Sequence, residues 1–138
     1  RILSLYNPNP VLGLSLKPDY MKILNWRGTA LEIRHAPIPG QPRLGYRVEN
    51  ASTAQARADV VALGDSFTYA LEVPAALSWT SRLRELSGLR VANMGVRGYG
   101  TTQEVKLYQL YAQAFQPKIV LLLASPNDTS SASANRKA

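Results

Sequence analysis

The 138-residue chain has no cysteine and a single histidine, His35. Without cysteine there are no disulfides and no thiolate zinc sites, and the redox compartment stays open, secretion included. Long apolar runs are also missing. The longest, IVLLLA at 119–124, falls well short of the roughly 18 to 20 residues that a spanning helix needs. The segment therefore reads as soluble, and any signal peptide or anchor would precede Arg1, a first residue that itself reads as a processed or cut terminus. Acidic residues are scarce, 9 against 16 Lys and Arg, for a formal charge of +7. That balance could attract phosphate, anionic lipid or acidic polysaccharide. The basic residues are scattered from Lys17 to Lys106 with no dense run and no interleaved aromatic platform, which argues against nucleic acid and for a solvated basic surface.

What is present is globular: 46% hydrophobic and 18% charged residues, in a length that suits one modest domain. Residues 1–57 hold six of the nine prolines. Short β-like pieces, ALEIRHA (30–36) and LGYRV (44–48), lie there among turn signals such as NPNP and PIPGQP. This part reads as an extended arm or small β appendage, joined through the small polar stretch 49–59 to a compact unit, 58–138.

In that unit, DVVALG (59–64) is a β-branched apolar run stopped by Gly64, as expected of a strand buried on both faces. Pro74 precedes AALSWTSRLRELSG, where Leu77, Leu83 and Leu86 recur at helical spacing and Gly88 supplies the stop. LRVANMGV (89–96) predicts a second strand and TTQEVKLYQLYAQAF (101–115) a second helix, capped by Thr101 or Thr102. After Pro117, KIVLLLAS predicts a third strand. Alternating strands and helices predict a parallel sheet with covering helices, a flavodoxin-like three-layer α/β/α domain.

In such sheets function gathers at the C-terminal strand ends. Those ends carry Gly64-Asp65-Ser66, then Asn93-Met94-Gly95-Val96-Arg97-Gly98, then Ser125-Pro126-Asn127-Asp128. Acyl transfer uses such a set: a hydroxyl to attack the carbonyl, and N–H donors to hold the oxyanion that develops. Each piece alone also has a plain explanation. Gly-Asp-Ser can be a strand-to-helix turn capped by Asp65 or Ser66, the glycines a simple turn, and Asn127-Asp128 an Asx turn. The glycine cluster fits neither G-x-G-x-x-G nor a phosphate loop ending in Gly-Lys-Ser/Thr.

Taken in order, ALGDSFT, NMGVRGYGT and SPNDT resemble three blocks of the SGNH, or GDSL, hydrolase superfamily, over residues 60 to 129. The resemblance implies a carboxylic-ester hydrolase with Ser66 as nucleophile. Its oxyanion hole would be formed by the Ser66 N–H, the Gly98 N–H and the Asn127 side chain, while Asp65 and Asp128 brace the loops. It implies no cofactor and no metal. The lead-in NPNPVLGLSLKPDY and RLGYR is similar to that of bacterial members linked to cell-envelope polysaccharide, which points to a carbohydrate O-acetyl ester as substrate and to the envelope or periplasm.

Two departures stand out. Ser125 occupies the place of a glycine in the third block, and the Asp-x-x-His block that supplies the general base is missing. A serine without an adjacent base is a poor nucleophile at neutral pH. Glu32 and His35 form a Glu-x-x-His, but three positions apart on a strand face opposite sides, and they precede the nucleophile, against the family's order. The expectation is a partial domain, incomplete at its C-terminus, with little turnover and marginal folding by itself. Two alternatives remain: a catalytically silent relative that binds a carbohydrate or acyl group, and an unrelated flavodoxin-like or receiver-like domain.

Overall fold

A computed structural model of the chain describes residues 2–126. Its strands are β1 Tyr6–Asn9, β2 Gly13–Leu16, β3 Met21–Trp26, β4 Thr29–Ile38, β5 Gln41–Val48, β6 Val60–Gly64, β7 Val91–Gly95 and β8 Ile119–Leu122. Its α-helices are α1 Ser66–Tyr69, α2 Trp79–Ser87 and α3 Thr101–Leu110. The strands β1 and β2 form a separate hairpin, and the other six make one sheet in the order β3-β4-β5-β7-β6-β8.

This order corrects the flavodoxin-like expectation. Only β6–β7 and β6–β8 pair in parallel, whereas β3–β4, β4–β5 and β5–β7 are antiparallel. The reason lies in the N-terminal segment. Along β4, Leu31, Ile33 and His35 are buried on one face of the sheet, and β5 buries Leu44, Tyr46 and Val48 on the other. Strands with so much apolar surface need a sheet to join. They occupy the free edge of β7, with Arg47 opposite Asn93, where a parallel architecture would place a further crossover strand. The expected arm is half of the sheet, and the parallel sheet of a receiver-like domain is absent from the described residues.

Around this sheet, Tyr46 meets Phe115 edge to face at 5.0 Å, and the segment between β5 and β6 is pinned by the Ala58 N–H donating to the Phe115 carbonyl at 3.1 Å. Gly88 ends α2 in the left-handed conformation, as its place in the sequence suggests. Of the three leucines of that stretch, Leu77 and Leu86 are exposed and Leu83 is half-buried, and the one fully buried residue of α2 is Thr80. In α3 the cap is Gly100, not Thr101 or Thr102, and its N–H donates to Gln103 Oε1 at 3.0 Å. The helix stops at Leu110 and continues as a 3-10 turn, Ala112–Phe115.

The central strand β6 is buried throughout, while every residue of β8, its neighbour at the sheet edge, is exposed. Exposed apolar edges template pairing with other chains, and lysine blunts them. Replacing Val120 by Lys is therefore expected to reduce concentration-dependent light scattering while leaving the unfolding free energy within about 0.5 kcal/mol of the parent. Among the described residues no helix is long and apolar enough to cross a membrane.

Candidate active site

At the end of β6 the chain turns sharply into α1. Asp65 is the cap: buried, its Oδ1 accepts from the Phe67 N–H at 2.9 Å. Its other oxygen, Oδ2, accepts from the Ser125 hydroxyl at 2.7 Å, which ties the segment leaving β8 to this turn. Ser66 is the first residue of α1 and half-buried, and the Phe67 ring beside it is exposed.

A single turn of helix is not stable alone, because nucleation fixes several dihedrals for one hydrogen bond. The C-terminal end of α1 is held by side chains from below. Asn93 Nδ2 donates to the Thr68 carbonyl at 2.8 Å, and its Oδ1 accepts from the Gly95 N–H at 3.0 Å. Arg47 donates to the carbonyls of Tyr69 (2.6 Å), Ala70 and Val73 (3.0 Å). Its guanidinium also lies 5.3 Å from the centre of the Tyr69 ring. Ala70 closes the helix at φ 57°, a left-handed conformation that a Cβ disfavours. Ala70→Gly should raise stability by about 1 kcal/mol in a urea titration; a lowered midpoint would contradict the strain.

After β7 comes a second tight turn. The Tyr99 N–H donates to the Val96 carbonyl at 3.2 Å, and Gly98 has φ 84° at the third position, the geometry of a type II turn that calls for glycine there. The identity of Gly98 is thus explained by the turn itself. The N-terminal hairpin braces this loop: Tyr99 donates from its hydroxyl to the Leu14 carbonyl at 2.5 Å, and Gln103 Nε2 donates to the Leu12 carbonyl at 2.8 Å. An ion pair of 2.8 Å between Arg97 and Glu72 joins the loop after β7 to the loop after α1.

Register brings two predicted site residues to one rim. Gly64 is level with Gly95, and Leu63 with Leu122, so Ser66 and Gly98 follow adjacent parallel strands at the same end of the sheet. The third predicted residue, Asn127, lies outside the described residues, as does Asp128.

His35 is committed elsewhere. Its Nδ1 is 2.9 Å from the Lys17 carbonyl and its Nε2 is 2.7 Å from the Tyr69 hydroxyl. A carbonyl only accepts, so Nδ1 carries the proton and Nε2 accepts from Tyr69. Burial pulls the imidazole down to about 4; the Lys17 carbonyl opposes that and the nearby Arg47 adds to it. Glu32 is exposed and pairs with Arg34 at 3.1 Å, so no Glu–His couple forms.

The residues that sequence reasoning missed are Arg47 and Tyr69, together with the supporting role of Asn93. Arg47 belongs to no solvated basic surface, being 3% exposed. A signal was available: Arg47 lies inside an otherwise apolar β stretch, LGYRV, where a charge is kept only if it is paired. Compared with known proteins, the chain matches no family model, and no curated protein matches it.

Proposed function

We propose that this chain is a serine-dependent ester hydrolase of SGNH type in its motif loops, with Ser66 as the nucleophile. The Ser66 N–H, the Gly98 N–H and the Asn127 side chain are the oxyanion donors. The observation that carries this reading is the setting of Ser66. It opens a short helix at the end of the central buried strand, and its hydroxyl takes part in no hydrogen bond among the described residues, while both carboxylate oxygens of Asp65 hold the turn. Because the sheet is mixed, the reading rests on the three sequence blocks ALGDSFT, NMGVRGYGT and SPNDT and not on the architecture of the sheet.

Ser66 Oγ adds to the ester carbonyl and yields its proton to a base. The oxyanion is held by N–H donors, and collapse expels the alkoxide, which takes the proton and leaves an acyl-Ser66 for water to cleave. His35, with both nitrogens bonded, is not that base. A cavity of about 680 Å³ off the loop after α1 is lined by Trp26, Arg27, Thr29, Leu31, Glu72 and Pro74. The Arg27 guanidinium lies over the Trp26 ring at 5.9 Å, and the choice of carbohydrate O-acetyl esters as substrates rests on the resemblance of the lead-in NPNPVLGLSLKPDY and RLGYR.

The test is labelling by a fluorophosphonate, read by intact mass with and without imidazole as an external base. Ser66 displaces fluoride at phosphorus, so one adduct is expected on the parent chain and none on Ser66→Ala. No adduct on the parent under either condition, or an adduct that survives the substitution, overturns the reading.

A further inference from the structure

His35, Arg47 and Asn93 stand opposite one another on the three adjacent strands β4, β5 and β7. Residues paired across strands share a face of the sheet. All three are buried, and each donates to or accepts from the segment 68–73 above them: His35 at the Tyr69 hydroxyl, Arg47 at the carbonyls of Tyr69, Ala70 and Val73, Asn93 at the Thr68 carbonyl. Apolar packing tolerates sliding and rotation, whereas hydrogen bonds fix direction. A four-residue helix attached through such a row has one rotational setting, and that setting aims its first residue.

We propose that this polar row, with Arg47 at its centre, is the positioning device for the α1 turn, and so for the Ser66 hydroxyl. Arg47 is a positioning residue here, since it acts on Ser66 only through the backbone of α1. Its fork geometry matters: five N–H donors in a plane can serve several carbonyls at once, and a lysine ammonium cannot reproduce that arrangement. The functional half of the inference rests on the ester-hydrolase reading, and the structural half does not.

Hydrogen–deuterium exchange on the 138-residue chain tests the structural half. In the parent the Tyr69 and Ala70 amides donate to the Asp65 and Ser66 carbonyls at 3.0 and 2.9 Å. In Arg47→Met their exchange should speed up at least tenfold relative to the β6 and β7 amides, and Arg47→Lys should recover part of the loss. Tyr69→Phe, which keeps the ring under Arg47 and deletes only the bond to His35, is the milder second variant and should show a smaller change confined to the same peptide. Fluorophosphonate labelling tests the functional half: its rate at saturating probe should fall about tenfold in Arg47→Met, with the half-saturating concentration unchanged. Exchange that rises uniformly over the chain, or not at all in 65–73, overturns the positioning role. Local loosening with an unchanged labelling rate overturns its link to Ser66. A parent chain that takes no label at all counts against the hydrolase reading, and the exchange result still decides the row.

Discussion

Gly95→Ala is expected to abolish the native fold. A Cβ at this position would lie 2.4 Å from the Tyr69 nitrogen, 2.7 Å from the Thr68 carbonyl carbon and 2.8 Å from Thr68 Cβ. Two of these atoms are backbone of the α1 segment, so no side-chain rotation relieves the overlap. Moving the helix away would break the bonds that Arg47 and Asn93 make to it and would leave a buried guanidinium without acceptors. Ordinary overpacking costs about 1–3 kcal/mol, and an uncompensated buried charge adds about 3–5 kcal/mol. A loss in excess of about 4 kcal/mol is most of the stability of a small domain. Gly88→Ala is the control, because its φ of 71° is positive but a Cβ there meets nothing within 4 Å; it should cost only about 1 kcal/mol. Circular dichroism in a urea series separates the two variants. If Gly95→Ala unfolds with a midpoint near that of the parent, α1 is not seated on β7 in the way described.

The tightness of that seat explains which parts of the molecule could be read beforehand. The segments at 60–64, 91–95 and 119–122 were legible because each is an apolar run bounded by Gly, Pro or polar residues, and such punctuation acts locally. The direction of pairing was not legible. Nothing in LGYRV says whether its partner runs with it or against it, and although the apolar stretch around Arg47 signals a paired charge, its acceptors lie 22 to 26 residues further along and the sequence does not identify them. The leucine spacing in α2 misleads for a related reason. Ser78 and Thr80 face inward because Asn93 Nδ2 reaches Thr80 Oγ1 at 3.2 Å, so a polar contact sets the helix's orientation and Leu86 points to solvent. At the candidate site, the turn chemistry of Asp65, Ser66 and Gly98 is local and was readable. The row that supports it spans three strands distant in sequence and was not.

That row also makes the fold sensitive to acid, and His35 sets the range. The ring is 3% exposed and stacks on Tyr20 at 5.1 Å. Neutral, it donates at Nδ1 and accepts at Nε2. Protonated, it presents a second N–H to the Tyr69 hydroxyl, which must then turn away, and it adds a buried positive charge near Arg47. The native imidazole consequently titrates at about 4, against 6.5 when unperturbed, chiefly through burial. Between those values the unfolded chain binds a proton that the native chain does not, so stability is complete above about pH 6.5 and is lost as pH falls towards 4. At 1.36 kcal/mol per unit, a separation of about two and a half units amounts to about 3 kcal/mol. Urea titrations from pH 7.5 to 4.5 should show that decline in the parent. They should show a much flatter curve in His35→Asn, whose amide can still donate to the Lys17 carbonyl. Asp59, held below its ordinary range by Arg90, loses its contribution only at lower pH and equally in both proteins, so the difference between the curves isolates His35. A parent curve that is level from pH 6.5 to 5, or an equal slope in the variant, would mean that the imidazole is not buried neutral against Tyr69.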